Sequence, residues 1–81
     1  MTELPINIRL QAMTVENMET GDPIQFEMWK NGDKYFIEMM NLTSQGSTIL
    51  WDAGGLDVMN GHWDRMEAVF ESDPTWGPSE A

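Results

Sequence analysis

The sequence predicts an α+β fold, a four-stranded and mainly antiparallel sheet with one C-terminal helix packed on one face. Three observations carry that prediction. Apolar and polar residues alternate with period two near the N-terminus and again after Pro23; glycine-containing turn signals separate the alternating runs; and from Leu56 the apolar period changes to three and four.

Ile6, Ile8, Leu10 and Ala12 alternate with Asn7, Arg9, Gln11 and Met13, the pattern of a half-buried first strand. The segment Thr14 to Pro23 has two readings. Thr14 can cap one helical turn, with Glu16 near its positive end and Gly21 stopping it, or the whole stretch is a long surface loop.

Ile24 to Met40 carries the clearest local signal. Asn31-Gly32 is the preferred pair for a two-residue type I′ turn. Folding about it sets Trp29 opposite Lys34, Met28 opposite Tyr35, Phe26 opposite Ile37 and Ile24 opposite Met39, so that one face is apolar and free of charge. A second hairpin follows through Ser44-Gln45-Gly46, a loop suited to a glycine bulge. Its register places Asn41 against Ile49, Met39 against Trp51 and Ile37 against Ala53, with the like charges Glu38 and Asp52 opposed.

Gly54-Gly55 ends the fourth strand. Leu56, Met59, Trp63, Met66 and Phe70 then form the stripe of an amphipathic helix. A turn at Asn60-Gly61 is the alternative, but it opposes Asp57 to Asp64 and leaves no clean apolar face. Gly61 costs a helix about 1 kcal/mol relative to Ala, which leaves open a start after it. Ser72-Asp73-Pro74 stops the helix. The expected organisation is a single domain over 1–73 and a flexible tail over 74–81.

Composition limits the alternatives. With 41% apolar residues, four Trp, three Phe and one Tyr among 81 residues, the chain has the material of a folded core despite its charge. It has no cysteine, which excludes disulfides and zinc–thiolate sites. No apolar run approaches the roughly 18 residues of a membrane span, and Met1 to Pro5 lack the features of a signal peptide. The expectation is a cytoplasmic protein without membrane association.

Catalytic signals are sparse. His62, the only histidine, has Asp57 and Asp64 nearby in sequence, but the spacing matches no metal site and a solvated histidine at a helix start is expected. Ser44, Ser47, Ser72 and Ser79 fall in turns or the tail, and Gly54-Gly55 lacks the Lys-Ser/Thr of a phosphate loop. No enzyme activity, metal or cofactor is expected.

Charge is the strongest functional pointer. Fourteen acids against four bases give a net charge of −10. Asp57, Asp64, Glu67 and Glu71 fall at helical spacing beside the apolar stripe, successively about 10, 5 and 6 Å apart along the axis. Glu16, Glu19 and Asp22 form a second cluster. Acidity promotes solubility, but ordinary soluble surfaces intersperse both signs. A field this one-sided repels DNA and RNA and steers the chain toward a basic groove on a protein or ribonucleoprotein. A second pointer is apolar excess: Phe36, Met40, Leu42 and Leu50 are assigned to the sheet face that the helix does not cover, joined by Trp29. Eight methionines add adaptable surface. Monomers seldom expose such a patch, so a homodimer or an obligate partner is expected, the dimer being the commonest closed assembly.

Small size, strong acidity and the lack of cysteine and catalytic groups make the chain similar to phage-encoded inhibitors, anti-CRISPR proteins among them. Several of those act as nucleic-acid mimics. The resemblance spans the chain in size and charge, rests on no motif and transfers no residue. It implies a non-catalytic inhibitor that occupies the nucleic-acid groove of a defence complex, such as a CRISPR interference complex, in an infected bacterium and blocks target DNA binding. The alternative is a small phage structural or assembly protein acting through the apolar sheet face.

Overall fold

A computed structural model describes residues 6–78. In chain order the elements are β1 (Asn7–Asn17), β2 (Pro23–Asn31), β3 (Lys34–Asn41), β4 (Ser47–Trp51), α1 (Leu56–Ser72) and β5 (Trp76–Pro78). The strands form one antiparallel sheet in the order β4-β3-β2-β1-β5, and α1 packs on one face. The α+β class and the single C-terminal helix are as the sequence predicts, but the sheet has five strands rather than four.

The fifth strand comes from the segment expected as a tail. Asn17 pairs with Trp76, Glu16 with Gly77 and Val15 with Pro78. Trp76 supplies the reason: its ring meets Phe70 of α1 edge-on, with centroids 5.1 Å apart, and so removes apolar surface from water. The readings made on Met1 to Pro5 and on 79–81 lie outside the described residues.

Thr14 to Asn17 are neither a helical turn nor a loop; they extend β1, paired with β2 on one side and β5 on the other. Only Met18 to Thr20 turn. The Asn17 side-chain oxygen accepts the N–H groups of Glu19 and Thr20 at 3.0 and 3.3 Å, which closes the turn locally. A bulge at Leu10, between the pairs Arg9–Trp29 and Gln11–Met28, switches the parity of β1. Beyond it Met13 and Val15 face inward opposite Phe26 and Ile24, while Ile6, Ile8 and Leu10 stay exposed. The simple alternation over Ile6 to Met13 therefore assigned the buried face to the wrong residues.

The β2–β3 hairpin forms two residues out of the expected register. Gly32-Asp33 are its central residues, and only Gly32 has a positive φ, 59°, the glycine-first pattern of a type II′ loop. Met28 pairs with Ile37, Phe26 with Met39 and Trp29 with Phe36. An even slip preserves faces, so Ile24, Phe26, Met28, Tyr35, Ile37 and Met39 still share the core side. The gain lies on the other side, where Trp29 meets Phe36 instead of Lys34; an aromatic cross-strand pair contributes about 0.2–1 kcal/mol.

The β3–β4 register also differs. Met40 pairs with Ser47, Met39 with Thr48 and Glu38 with Ile49, and a bulge then sets Trp51 opposite Ile37. The opposition of Glu38 to Asp52 does not form. The loop is shaped by Asn41, whose side-chain oxygen accepts the N–H groups of Thr43 and Ser44 at 2.9 and 3.1 Å. The bulge at Leu50 re-aims that side chain, which packs against the core.

Helix α1 runs unbroken through Gly61. Met59, Trp63 and Met66 are buried against Ile24, Phe26, Met28 and Ile37. Each such side chain contributes about 1.5–3 kcal/mol on full burial, which favours the helical reading over a turn at Asn60-Gly61. The backbone envelope measures 48 × 26 × 17 Å. Its thin dimension accommodates the sheet and one helix layer, so no element among the described residues covers the second sheet face. The radius of gyration, 13.9 Å, accordingly exceeds the roughly 12 Å of a compact chain of this length.

Candidate functional site

At 3.6 residues per turn, Glu67, Asn60, Glu71, Asp64 and Asp57 fall within about 80° of arc beside the buried stripe of α1. The Asn60 side-chain oxygen accepts a hydrogen bond from Gln11 Nε2 at 3.3 Å, which turns this flank toward β1. The opposite flank lies over β4. There the His62 ring stacks on Trp51, with centroids 4.3 Å apart and planes 5° from parallel. Arg65 Nη2 lies 2.6 Å from His62 Nδ1; arginine only donates, so Nδ1 accepts. His62 is thus a half-buried packing residue in mid-helix, not the solvated histidine expected at a helix start.

Asp57, Asp64, Glu67 and Glu71 are all exposed. Among the described residues, no cation pairs with any of them; the ion pair that does form joins Arg9 to Glu27 at 3.1 Å. Asp57 sits in the first turn, where the helix dipole favours an acid, but the last turn contains no base to offset Glu71.

The second acidic cluster is divided. Glu19 is exposed in the β1–β2 turn. Glu16 is half-buried in β1, opposite Gly77, and Asp22 is half-buried and accepts a bond from Asn41 Nδ2 at 3.2 Å. The Met18 N–H donates to the Thr75 carbonyl at 2.7 Å, so this turn abuts the end of α1. Asp73 adds a further acid at that end. Its carboxylate accepts the Thr75 N–H at 2.9 Å, and this bond, then one from the Thr75 side chain, holds its pKa below the ordinary value.

On the open sheet face, Phe36 and Met40 remain as expected, half-buried, beside Trp29. Leu42 instead lies in the loop after β3, where its N–H donates to the Pro23 carbonyl at 2.9 Å, and Leu50 belongs to the core. Ile49 takes their place on that face, opposite Glu38 and exposed. Glu27 is 8% exposed there, bonded to Arg9, with Glu38 directly opposite.

Among the described residues, no group of three potential ligands could hold a metal ion. Ser72 Oγ donates to the Ala68 carbonyl at 2.8 Å and Ser44 Oγ accepts from the Gly46 N–H at 3.4 Å, so both hydroxyls are engaged away from His62. A hollow of about 570 Å³ near the β2–β3 turn is lined by Asp33, Lys34, Tyr35 and Asp52 among others, with no nucleophile–base pair. No helix among the described residues is long and apolar enough to cross a membrane. Comparison with protein-family models, with curated proteins and with solved structures finds no match to this chain.

Proposed function

We propose that this domain is a non-catalytic inhibitor that binds a basic nucleic-acid groove of a bacterial defence complex, a CRISPR interference complex in the first instance, and excludes target DNA. The observation that carries the reading is the acidic flank of α1. Asp57, Asp64, Glu67 and Glu71 share one side of the helix, exposed and without a cation among the described residues. Folding stability does not account for the row, because Glu71 opposes the helix dipole and the chain already carries a net charge of −10. Glu19, at the same end as Glu71, extends the acidic surface, with Glu16 and Asp22 as its less exposed neighbours.

The test is charge reversal of Asp64, Glu67 and Glu71 to Lys together, with competition against labelled target DNA for purified interference complexes as the readout. The triple variant is expected to keep its circular dichroism spectrum and to lose competition. Competition by the wild-type chain is expected to fall steeply with salt, because exposed charges are screened beyond about 8–10 Å at 0.1–0.15 M ionic strength. A folded triple variant that competes normally overturns mimicry through the helix.

A second reading rests on the uncovered sheet face. Trp29, Phe36 and Met40 present apolar surface there, and the face also carries Arg9, whose side chain is 54% exposed, and Glu38. A two-fold contact sets residue i against j and j against i, so a second copy can set each Arg9 near the other's Glu38. This homodimer is compatible with inhibition and equally with an assembly role. Light scattering decides it: a mass of about 9 kDa at micromolar concentration, the monomer value, removes the dimer.

A further inference from the structure

We propose that the groove between the C-terminal half of α1 and the β1–β5 edge receives an arginine side chain of the partner protein, a proposal that rests on the acidic-flank reading above. The groove has a volume of about 430 Å³; Met13, Val15, Phe70 and Trp76 line it together with the carboxylate-bearing side chains of Glu67 and Glu71. Its aromatic part is held in place from beneath. Phe70 contacts the buried Phe26 with centroids 5.0 Å apart, and Trp76 meets Phe70 edge-on at 5.1 Å. Both glutamates are exposed and without an ion-pair partner among the described residues.

An apolar, aromatic groove beside two carboxylates selects among occupants by elimination. A nucleic-acid phosphate is repelled by Glu67 and Glu71. A wholly apolar segment would strip water from both carboxylates without replacing their hydrogen bonds. A second copy of the chain is the poorer source: of its two arginines, Arg65 is bonded to His62, and Arg9 is bonded to Glu27 on the open sheet face rather than on the helix side. An ammonium satisfies the charge but is strongly hydrated and has no flat face. A guanidinium meets every requirement: it is weakly hydrated, stacks on aromatic rings and presents a planar fork of donors to carboxylates. Its aliphatic stem can lie along Met13 and Val15. A volume of this order lies in the range of small-ligand pockets and is ample for one side chain, and arginine is among the residues that dominate interfaces.

The experiment titrates the whole chain with hexa-arginine and, separately, with hexa-lysine of equal charge, and follows the indole N–H of Trp76 and the amides of Glu67 and Glu71 by NMR. Hexa-arginine is expected to shift these signals and to bind several-fold more tightly than hexa-lysine. Trp76→Leu, which keeps apolar bulk without the π face, should reduce the hexa-arginine affinity about fivefold and abolish the preference. The peptide comparison on the wild-type chain stands even if that variant folds poorly. Equal affinity for the two peptides, or shifts confined to the Asp57 end of α1, overturns the proposal. So does a concentration-dependent shift of Trp76 without peptide, which would assign the groove to a second copy. Loss of inhibition on triple charge reversal with no arginine preference leaves the acidic flank standing and removes the groove alone. An arginine preference with undiminished inhibition by the triple variant removes the flank reading and leaves the groove as an arginine site.

Discussion

Glu27 and Glu38 stand directly opposite each other on β2 and β3, and Arg9 of β1 bonds to Glu27, 3.1 Å away. Like charges in this position destabilise a sheet, and Glu27 is largely withdrawn from water. Arg9 therefore holds the centre of the open face together.

Arg9→Ala should lower stability by about 1–3 kcal/mol, because it leaves the Glu27 carboxylate desolvated and unpaired. Glu38→Gln should raise it by about 0.2–1 kcal/mol, since it removes the opposed charge. Urea denaturation of both single variants and the double variant checks the coupling. If Glu38→Gln proves destabilising, Glu38 has a stabilising partner that this geometry does not supply.

Trp76 ties the chain after α1 to the sheet. Trp76→Ala should cost about 2 kcal/mol, below the roughly 3–5 kcal/mol of a fully buried aromatic because the ring is half-buried. Removal of the chain from Pro74 onward should cost at least as much. A thermal midpoint unchanged by both alterations would mean that β5 adds nothing to the fold.

Trp76 also marks where the sequence stopped being legible. Periodicity needs several residues, and Trp76-Gly77-Pro78 is too short to show any, with glycine and proline both signalling a turn. A tryptophan six residues beyond Phe70, the last member of the stripe, was the remaining clue, and sequence alone gives it no partner. The long elements were legible because burial repeats. The stripe Met59-Trp63-Met66-Phe70 found its helix, and the hairpin faces survived a two-residue slip. Exact pairing was not legible, since Asn31-Gly32 and Gly32-Asp33 both suit tight turns and differ in whether Gly32 takes the second or the first central position. The bulges at Leu10 and Leu50 hid the rest, because a single extra residue exchanges inward for outward. Of the candidate surfaces, the helix row was readable from spacing. The groove needed β5, and the open face lost Leu42 and Leu50 to a loop and a bulge.

Asp73 gives the fold a pH signature. Its pKa lies below the ordinary value because the Thr75 N–H, and then the Thr75 side chain, bond to the carboxylate. A depressed carboxyl pKa stabilises the folded state above the unfolded value of about 3.9, and that contribution is lost as pH falls through the folded value. Wild-type chain should therefore exceed Asp73→Asn in stability at neutral pH, and the two should converge in acid. Urea midpoints measured from about pH 5 down to pH 2 would show the convergence. A gap that widens in acid contradicts the hydrogen-bond assignment.

Glu71 separates stability from binding within a single residue. It lies in the last turn of α1, where the helix dipole disfavours an acid and no base compensates. Glu71→Lys should therefore stabilise the fold by about 0.3–1 kcal/mol. The same change should weaken binding to a basic groove, by less than about tenfold, because one exposed pair is worth under about 1 kcal/mol. Salt should act with the same opposed signs. Screening relieves the self-repulsion of a chain with net charge −10, so the thermal midpoint should rise while partner affinity falls. A surface acid kept only for solubility has no reason to show the second effect. A Glu71→Lys chain that melts higher and competes with DNA undiminished would place Glu71 outside the contact, and would move the binding row toward Asp57 and Asp64.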